Sequence, residues 1–213
     1  ESQNFINLDK KVKFFKTHHI NCKIGEHAFT NQNNTLGVIY IVRDPRNLIN
    51  SFKNHYNIDT KKAKNLITSS QTVTGALGKT NYQNNIFTIL GSWKDHYRSW
   101  TNTNNLLLLK YEDLIFDPLK EIKKIISFLE KLLNFDYNDQ KIENIINSTS
   151  FSALQNMETK IGFNEAVLDE TSKNKVKFFN LGKENKWEKF LNKEEVEDIN
   201  EKFSLEMKDL GYI

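Results

Sequence analysis

The stretch "IYIVRDPRNLINSFKNHY", residues 39–56, decides the fold because a nearly continuous apolar run leads directly into a helical pattern. Such a run is typical of a central strand in a parallel sheet that is covered on both faces. Asp44 is a suitable N-cap for the helix, and Pro45 is a suitable first helical residue. Arg43 is therefore predicted to lie at the carboxyl edge of the sheet, where open α/β sheets bind ligands.

Two further runs have strand character, "KVKFFKTH" at 11–18 and "NLLLLKYED" at 105–113. The segments 117–133 and 192–211 show the periodicity of amphipathic helices. The apolar residues predicted to face the core are Ile122, Ile125, Ile126, Leu129 and Leu133 in the first helix, and Val196, Ile199, Phe203, Met207 and Leu210 in the second. Strands that alternate with helices predict an α/β fold of three layers around a central parallel sheet, in a single domain over residues 1–213.

Composition limits the classes of function. The 213 residues carry a formal net charge of +3, spread over 30 basic and 27 acidic side chains. This small excess of positive charge is far below the dense cluster of basic residues that nucleic-acid-binding proteins carry. No nucleic-acid partner is therefore predicted. The single cysteine, Cys22, leaves no internal disulfide and fits a cytoplasmic protein. No apolar run approaches the roughly 20 residues that cross a bilayer, so no membrane span is predicted.

Residues 59–90 are polar and punctuated by glycine, and we interpret them as a loop or lid between helices. Within them, "GALGKT" at 75–80 ends like a phosphate-binding loop. The pattern G-x-x-x-x-G-K-[ST] would require glycine where Val73 stands. We therefore interpret this stretch as a flexible polar loop.

Arg43 is followed eight residues later by Ser51, two turns into the predicted helix. The planar guanidinium and the hydroxyl can converge on one anion, and each charge-assisted hydrogen bond to a phosphate contributes about 1.5–3 kcal/mol. The pair therefore indicates a phosphate site. The alternative is that Arg43 pairs with a carboxylate at the end of the strand.

"FFKTHH" at 14–19 ends another predicted strand. Either His18 or His19 has the right chemistry for a general base near neutral pH, and Lys16 would stabilise a developing negative charge. A histidine at the end of a strand is more often structural than catalytic. This stretch by itself leaves both interpretations open.

Taken in order along the chain, these motifs resemble those of the sulfotransferases that use 3'-phosphoadenosine 5'-phosphosulfate. "KTH" at 16–18 is similar to the family's lysine-threonine-histidine motif, and "YIVRDPRNLINSF" at 40–52 is similar to its 3'-phosphate-binding segment. Other similar segments are "GSW" at 91–93, "LKYEDLIFDPLKEIKKIISFL" at 109–129, "STSFSAL" at 148–154 and "FFNLGKENKWEKF" at 178–190. The resemblance implies the sulfotransferase fold, which is related to that of the P-loop nucleoside triphosphate hydrolases.

The resemblance also implies a reaction, the transfer of a sulfuryl group to a hydroxyl or amine of a small-molecule acceptor without a metal. His18 would be the catalytic base and Lys16 would stabilise charge. The product nucleotide would be adenosine 3',5'-bisphosphate. The cofactor-binding residues implied by the resemblance are Arg43, Ser51, Tyr111, Thr149, Phe151, Phe178, Phe179, Gly182 and Lys183.

The chain also departs from the family. Asn180 and Leu181 stand where the family has arginine and then lysine, and Lys183 or Lys186 would have to compensate. The usual proline after the histidine motif is absent. The family's dimer motif, a threonine-valine pair, corresponds here to Asn192 and Lys193, so dimerisation by that route is not expected.

The family's lysine-serine-glycine-threonine loop binds the 5'-phosphosulfate some tens of residues before the histidine motif, whereas fifteen residues precede Lys16 here. We therefore expect an N-terminally incomplete chain that lacks the first strand and this loop and is inactive by itself. Two alternatives remain open. One is a P-loop nucleotide kinase, and the other is a non-catalytic nucleotide-binding module descended from the family.

Overall fold

The chain divides into two compact units. In a computed structural model of the protein, the described residues are 11–75, 87–167 and 175–213. The first unit takes its described residues from 1–40 and 68–107, and the second takes them from 41–67 and 108–213.

The described elements are short strands and helices of one to three turns. The strands are β1 (Lys23–Ile24), β2 (His27–Ala28), β3 (Val38–Val42), β4 (Val73–Thr74), β5 (Thr88–Ile89) and β6 (Leu106–Lys110). The helices are α1 (Pro45–Tyr56), α2 (Thr60–Thr68), α3 (Trp93–Thr101), α4 (Tyr111–Phe116), α5 (Pro118–Glu130), α6 (Asp139–Ser148), α7 (Phe151–Ile161), α8 (Lys193–Lys202) and α9 (Ser204–Asp209). Gly182–Glu184 and Trp187–Lys189 form 3₁₀ turns.

β3 and β6 form a parallel pair, as the two most apolar runs predicted. Val42 and Leu109 are buried in the pair, with 2% and 1% of their surface exposed. The other described strands form two separate antiparallel pairs, β1 with β2 and β4 with β5. Over the described ranges, the predicted central parallel sheet is therefore limited to these two strands.

The strand predicted at 11–18 is not formed, because residues 11–22 contain neither strand nor helix. Phe14 and Phe15 are 71% and 70% exposed, so the apolar residues of this segment have no second layer to cover them. The backbone meets β5 only further on, where the Ile20 N–H donates to the carbonyl of Ile89 at 2.8 Å. The prediction was wrong because a short apolar run becomes a strand only when a neighbouring strand pairs with it.

α3 belongs to the first unit and begins with a capping box. The Ser92 hydroxyl accepts a hydrogen bond from the Asp95 N–H at 3.2 Å, and the Asp95 carboxylate accepts one from the Ser92 N–H at 3.4 Å. Trp93, Tyr97 and Trp100 are buried at a spacing of four and three residues, which places them on one face of the helix. This packing fixes the orientation of α3 within the first unit.

α1 belongs to the second unit and begins at the residues that the sequence predicted. The Asp44 side chain accepts a hydrogen bond from the Arg46 N–H at 2.9 Å, and Pro45 is the first helical residue. Ile49 is fully buried. α5 begins similarly, since Asp117 accepts a hydrogen bond from the Lys120 N–H at 3.1 Å.

The helix predicted over 192–211 is two helices, α8 and α9, which are separated at Phe203. The predicted buried face is confirmed for four of its five residues. Those buried residues are Ile199, Phe203, Met207 and Leu210. The amphipathic pattern therefore continues across the break, since Phe203 at the break is itself buried.

The loop predicted over 59–90 is partly helical, since α2 occupies Thr60–Thr68. Ala63 and Ile67 of α2 are 0% and 3% exposed, so burial of two apolar side chains overrides the polar character of this segment. Most of "GALGKT" lies outside the described residues. None of the described helices has the length and apolar character that a bilayer crossing requires.

Candidate functional site

The predicted phosphate-binding pair lies together at the carboxyl end of β3. Arg43 donates from Nη1 to the Ser51 hydroxyl at 3.0 Å. The Arg43 guanidinium lies 4.3 Å from the centre of the Tyr111 ring, in cation–π contact. Three of the residues implied to bind the cofactor are therefore in direct contact within the second unit.

Buried charge shapes the surroundings of Arg43. Burial lowers the pKa of the Arg43 guanidinium, while the charges of Tyr111, Glu112, Asp44 and Tyr212 oppose that change. Arginine stays protonated under such conditions because its intrinsic pKa lies far above neutral pH. Arg43 is therefore a partly buried cation at the end of β3.

Glu112 organises the end of the sheet around this cation. It accepts hydrogen bonds from the Asp44 N–H at 3.1 Å and from the Tyr212 hydroxyl at 3.0 Å. Burial raises the pKa of Tyr212, and the charge and hydrogen bond of Glu112 raise it further. Tyr212 therefore stays protonated and acts as the donor.

Arg46, three residues after Arg43, forms an ion pair with a carboxylate at the end of β3. Arg46 donates from Nε and Nη2 to Asp44, with 2.7 Å for the shortest of these bonds. Its Nη2 also donates to the carbonyl of Tyr212 at 3.0 Å, and its guanidinium lies 4.4 Å from the centre of the Trp187 ring. The ion pair with Asp44 thus belongs to Arg46, whereas Arg43 contacts Ser51.

Residues 177–190, which we call the closing segment, pack against α1 through asparagines. Asn185 donates from Nδ2 to the Ser51 hydroxyl at 2.9 Å and to the carbonyl of Asn47 at 3.1 Å. The Asn50 amide donates to Asn185 Oδ1 at 2.9 Å. Sequence reasoning missed Asn185, because an asparagine in a polar stretch carries no signal of burial.

Asn180, which stands at the family's arginine position, belongs to the same arrangement. Its amide donates to Asn54 Oδ1 at 2.9 Å, and Asn54 in turn donates to the carbonyl of Lys177 at 2.9 Å. Neutral amides therefore hold the closing segment on α1 where the family places a cation. Lys183, which was expected to contribute charge, is exposed.

A second group of predicted residues surrounds Gly182. A Cβ at Gly182 would stand 2.9 Å from three carbon atoms of the Phe151 ring, and Gly182 has a φ of +53°. Phe151 also meets Phe179 edge to face, with 6.3 Å between the ring centres. Glycine is required at 182 both by its backbone conformation and by this close approach.

α7 fixes the two aromatic residues of the closing segment. The Glu158 carboxylate accepts hydrogen bonds from the N–H groups of Phe178 and Phe179 at 2.7 and 3.0 Å. Thr149, also expected at the cofactor, ends α6, and its exposed hydroxyl donates to the carbonyl of Ile145 at 2.6 Å. The hydrogen bond described for the Thr149 side chain is therefore made within its own helix end.

The proposed catalytic residues Lys16 and His18 belong to the first unit, where both side chains are exposed. The neighbouring His19 has a structural environment. Its ring stacks on Phe29 with 4.7 Å between the centres, and its Nδ1 donates to the carbonyl of Ile20 at 2.7 Å. Of the two histidines that the sequence left open, His18 therefore has the exposed ring.

His96 is a histidine that the sequence did not single out. Its Nε2 lies 3.2 Å from the carbonyl oxygen of His18, and its Nδ1 lies 2.9 Å from the Tyr40 hydroxyl. Burial lowers the pKa of His96, the charges of His18 and His19 lower it further, and the hydrogen bond to His18 opposes them. Burial also raises the pKa of Tyr40. Both side chains are therefore neutral near pH 7.

The family model for the sulfotransferase domain matches residues 2–211. The chain belongs to the sulfotransferase family. Rabbit amine sulfotransferase is 28% identical over 184 residues, which are 84% of this chain and 56% of that protein. Rat sulfotransferase 1A1 is 30% identical over 121 residues, which are 55% of this chain and 38% of that protein. The chain thus spans little more than half the length of the amine sulfotransferase.

A solved structure gives the same fold. The crystal structure of mouse sulfotransferase SULT7A1 complexed with PAP matches with a TM-score of 0.58 and 25% sequence identity. The match covers 83% of this chain and 61% of the mouse chain. The α/β sulfotransferase fold that the sequence motifs implied is therefore confirmed.

Proposed function

We propose that the protein transfers a sulfuryl group from 3'-phosphoadenosine 5'-phosphosulfate to a hydroxyl or amine of a small-molecule acceptor. The single observation that carries this proposal is the hydrogen bond from Arg43 to Ser51 at the end of β3, with Tyr111 stacked on the guanidinium. Family membership supports the reaction class. PAP, which is bound in the mouse structure, supports the kind of nucleotide.

The donor types in the second unit fit the 3'-phosphate of this nucleotide. Arg43 provides a planar fork of N–H donors, and Ser51 provides a hydroxyl that can turn from the Asn47 carbonyl, which it meets at 3.3 Å. Phe151 and Phe179 supply apolar ring surface near Gly182. Arg43, Ser51, Tyr111, Thr149, Phe151, Phe178, Phe179, Gly182 and Lys183 are the residues that we propose to hold the nucleotide.

The bound nucleotide supplies an electrophilic sulfuryl group, so the protein's own task is to position groups and to stabilise charge. In this proposal, an unprotonated ring nitrogen of His18 takes the proton from the acceptor's hydroxyl or amine. A general base of this kind typically contributes a factor of about 10² to 10⁴ in rate. The Lys16 ammonium stabilises the negative charge that develops on the leaving oxygen.

The first test measures nucleotide binding by calorimetry with adenosine 3',5'-bisphosphate and with 5'-AMP. Arg43→Ala should weaken binding of the bisphosphate by about 1.5–3 kcal/mol, or roughly 10- to 150-fold, because the charge-assisted bonds are lost. Binding of 5'-AMP should change little. Arg43→Lys should give an intermediate loss, since lysine keeps the charge but not the fork of donors.

The matched control is Arg98→Ala, which removes an exposed arginine from α3. It should leave both affinities unchanged, and circular dichroism should show that all the variants fold. Equal losses of both nucleotides in Arg43→Ala would contradict the assignment of Arg43 to the 3'-phosphate.

A second candidate is a nucleotide-binding module without catalysis. The observation that favours it is the amide pair Asn180–Asn54 where the family has a cation. His18→Ala separates the two functions because an enzyme would lose turnover while keeping nucleotide affinity. The test uses the full-length protein, since this chain by itself is expected to be inactive. A full-length protein that binds the bisphosphate and sulfates no acceptor before or after this substitution would be the binding module.

A further inference from the structure

We propose that His96 is a positioning residue for His18, because it binds the backbone carbonyl of His18 and is itself held by the Tyr40 hydroxyl. This inference rests on the proposed function, in which His18 removes the acceptor's proton. His96 would act through the backbone of His18 and would touch neither the acceptor nor the nucleotide.

The need for such a residue follows from the local structure. Residues 11–22 have no regular secondary structure, so their backbone lacks the ladder of hydrogen bonds that would orient a residue at the end of a strand. Fixed geometry is nevertheless essential for a general base, which must lie within hydrogen-bond reach of the proton it removes. Besides the backbone bond from Ile20 to Ile89, side chains hold this backbone in place.

One face of α3 supplies those side chains. His96 Nε2 meets the carbonyl of His18 at 3.2 Å, and Trp100 Nε1 donates to the carbonyl of His19 at 3.1 Å. Between them, the Ser99 hydroxyl accepts a hydrogen bond from the Asn21 N–H at 3.1 Å. Positions 96, 99 and 100 lie on one side of a helix, so α3 binds the segment as a neighbouring strand otherwise would.

The hydrogen bonds determine the tautomer of His96. A carbonyl oxygen can only accept, so Nε2 must carry the proton toward His18. In a neutral imidazole, Nδ1 is then an acceptor, and the Tyr40 hydroxyl must donate to it. Tyr40 and His96 also stack, with 5.7 Å between their ring centres. Tyr40 therefore donates a hydrogen bond to His96, and His96 donates one to the carbonyl of His18.

The arrangement assigns different tasks to three neighbouring histidines. His19 is held by its stacking on Phe29 and by its bond to Ile20, so it anchors the segment. His96 binds the carbonyl of His18 and leaves the His18 ring exposed. The backbone is thus fixed while the ring remains available to an acceptor.

The test uses nuclear magnetic resonance of the folded protein. Long-range ¹H–¹⁵N spectra report the tautomer of each of the five histidines, which can be assigned by substitution. The ¹³C resonance of the His18 carbonyl reports whether its hydrogen bond is present. His96→Phe keeps an aromatic ring and removes both hydrogen bonds, whereas His96→Gln keeps a donor of similar reach.

We expect the Nε2–H tautomer for His96 in the unaltered protein. The His18 carbonyl resonance should shift in His96→Phe and should return toward its original position in His96→Gln. His27→Phe alters an exposed histidine and should leave that resonance unchanged. Trp100→Phe should shift the carbonyl resonance of His19 rather than that of His18. In turnover by the full-length protein, His96→Phe should lower kcat about 10- to 100-fold at unchanged nucleotide affinity, the effect of a base that is misplaced by about 1 Å.

An Nδ1–H tautomer for His96 would overturn the inference, and this measurement needs no variant to fold. An unmoved His18 carbonyl in His96→Phe would overturn it equally, and the proposed function would still stand. Turnover that survives His18→Ala would instead overturn the assignment of the base while leaving the hydrogen bond from His96 intact.

Discussion

The hydroxyl of Ser51 illustrates how a single residue joins three parts of the proposed nucleotide site. It accepts hydrogen bonds from Arg43 and Asn185 and donates one to the carbonyl of Asn47. Asn185 is 7% exposed, and its amide satisfies both Ser51 and Asn47. Asn185 therefore couples the closing segment to Ser51 and, through it, to Arg43.

Asn185→Ala should lower the free energy of unfolding by about 1–3 kcal/mol, because it leaves buried polar partners on α1 unsatisfied. Urea denaturation measures this change. Asn156→Ala is a suitable control, since Asn156 is exposed on α7 and alanine favours the helix. Equal effects of the two substitutions would show that the Asn185 bonds contribute nothing to stability.

The protonation of His96 predicts how stability depends on pH. Its pKa in the folded protein lies below the value of about 6.5 in an unfolded chain, so folding disfavours the protonated form. This contribution is fully favourable above pH 6.5 and is lost as the pH falls below it. The groups that face His96 are His18, His19 and Tyr40, and Tyr40 stays neutral in this range.

The unfolding free energy of the unaltered protein should therefore fall, relative to that of His96→Gln, as the pH is lowered from 7 to 5. Glutamine does not titrate, so the difference between the two proteins isolates His96 from every other ionisable group. Urea denaturation at a series of pH values gives this difference. A difference that does not change with pH would contradict the lowered pKa.

At the scale of elements, α3 holds the irregular segment of the first unit. One face of α3 binds three positions of the irregular segment, His18, His19 and Asn21. The start of α3 is held by Ser92, which is fully buried. The Asp95 carboxylate accepts hydrogen bonds from the Ser92 and Ser70 hydroxyls at 2.6 Å each. Burial acts to raise the pKa of Asp95, but these hydrogen bonds outweigh it and hold the pKa below its usual value. The cap is therefore ionised and well bonded near neutral pH.

Ser92→Ala should lower the free energy of unfolding by about 1 kcal/mol, the usual effect of losing an N-cap. Amide hydrogen exchange in the first turn of α3 should become faster, because those N–H groups lose their acceptor. Ser127→Ala alters an exposed position within α5 and should cause neither change. Unchanged exchange in Ser92→Ala would mean that the buried apolar face alone holds α3 in place.

At the scale of the whole molecule, Arg46 joins several parts of the second unit. It is 6% exposed and contacts Asp44 before α1, Asn200 on α8, Trp187 in the closing segment and Tyr212 near the C-terminus. Removing one partner of a buried ion pair leaves the other charge uncompensated. The second unit therefore depends on Arg46 for stability.

Arg46→Met should lower the free energy of unfolding by about 3–5 kcal/mol, as measured by urea denaturation. Arg98→Met, at an exposed arginine, should cost less than about 1 kcal/mol. If the free energy of unfolding falls no more in Arg46→Met than in Arg98→Met, water replaces the partners of Arg46. From the sequence, Arg46 was only a polar residue in the first turn of a helix, since its partners lie up to 166 residues away.

Local patterns carried much of the prediction. The apolar runs of β3 and β6, the caps at Asp44 and Asp117, and the buried face near the C-terminus all depend on neighbours within a few residues. The spacing of Arg43 and Ser51 likewise requires only one strand and two turns of a helix. These features are present in the sequence because the forces that create them act over a few residues.

Tertiary structure alone decided the rest. The strand predicted at 11–18 failed because strand formation needs a partner that no local pattern reveals. Asn185 and His96 gained their roles through hydrogen bonds to residues 134 and 78 positions away. The sequence by itself thus determined the family and the spacing that brings Arg43 and Ser51 into contact. The folded chain decided which polar side chains are buried, because burial depends on residues that only folding brings together.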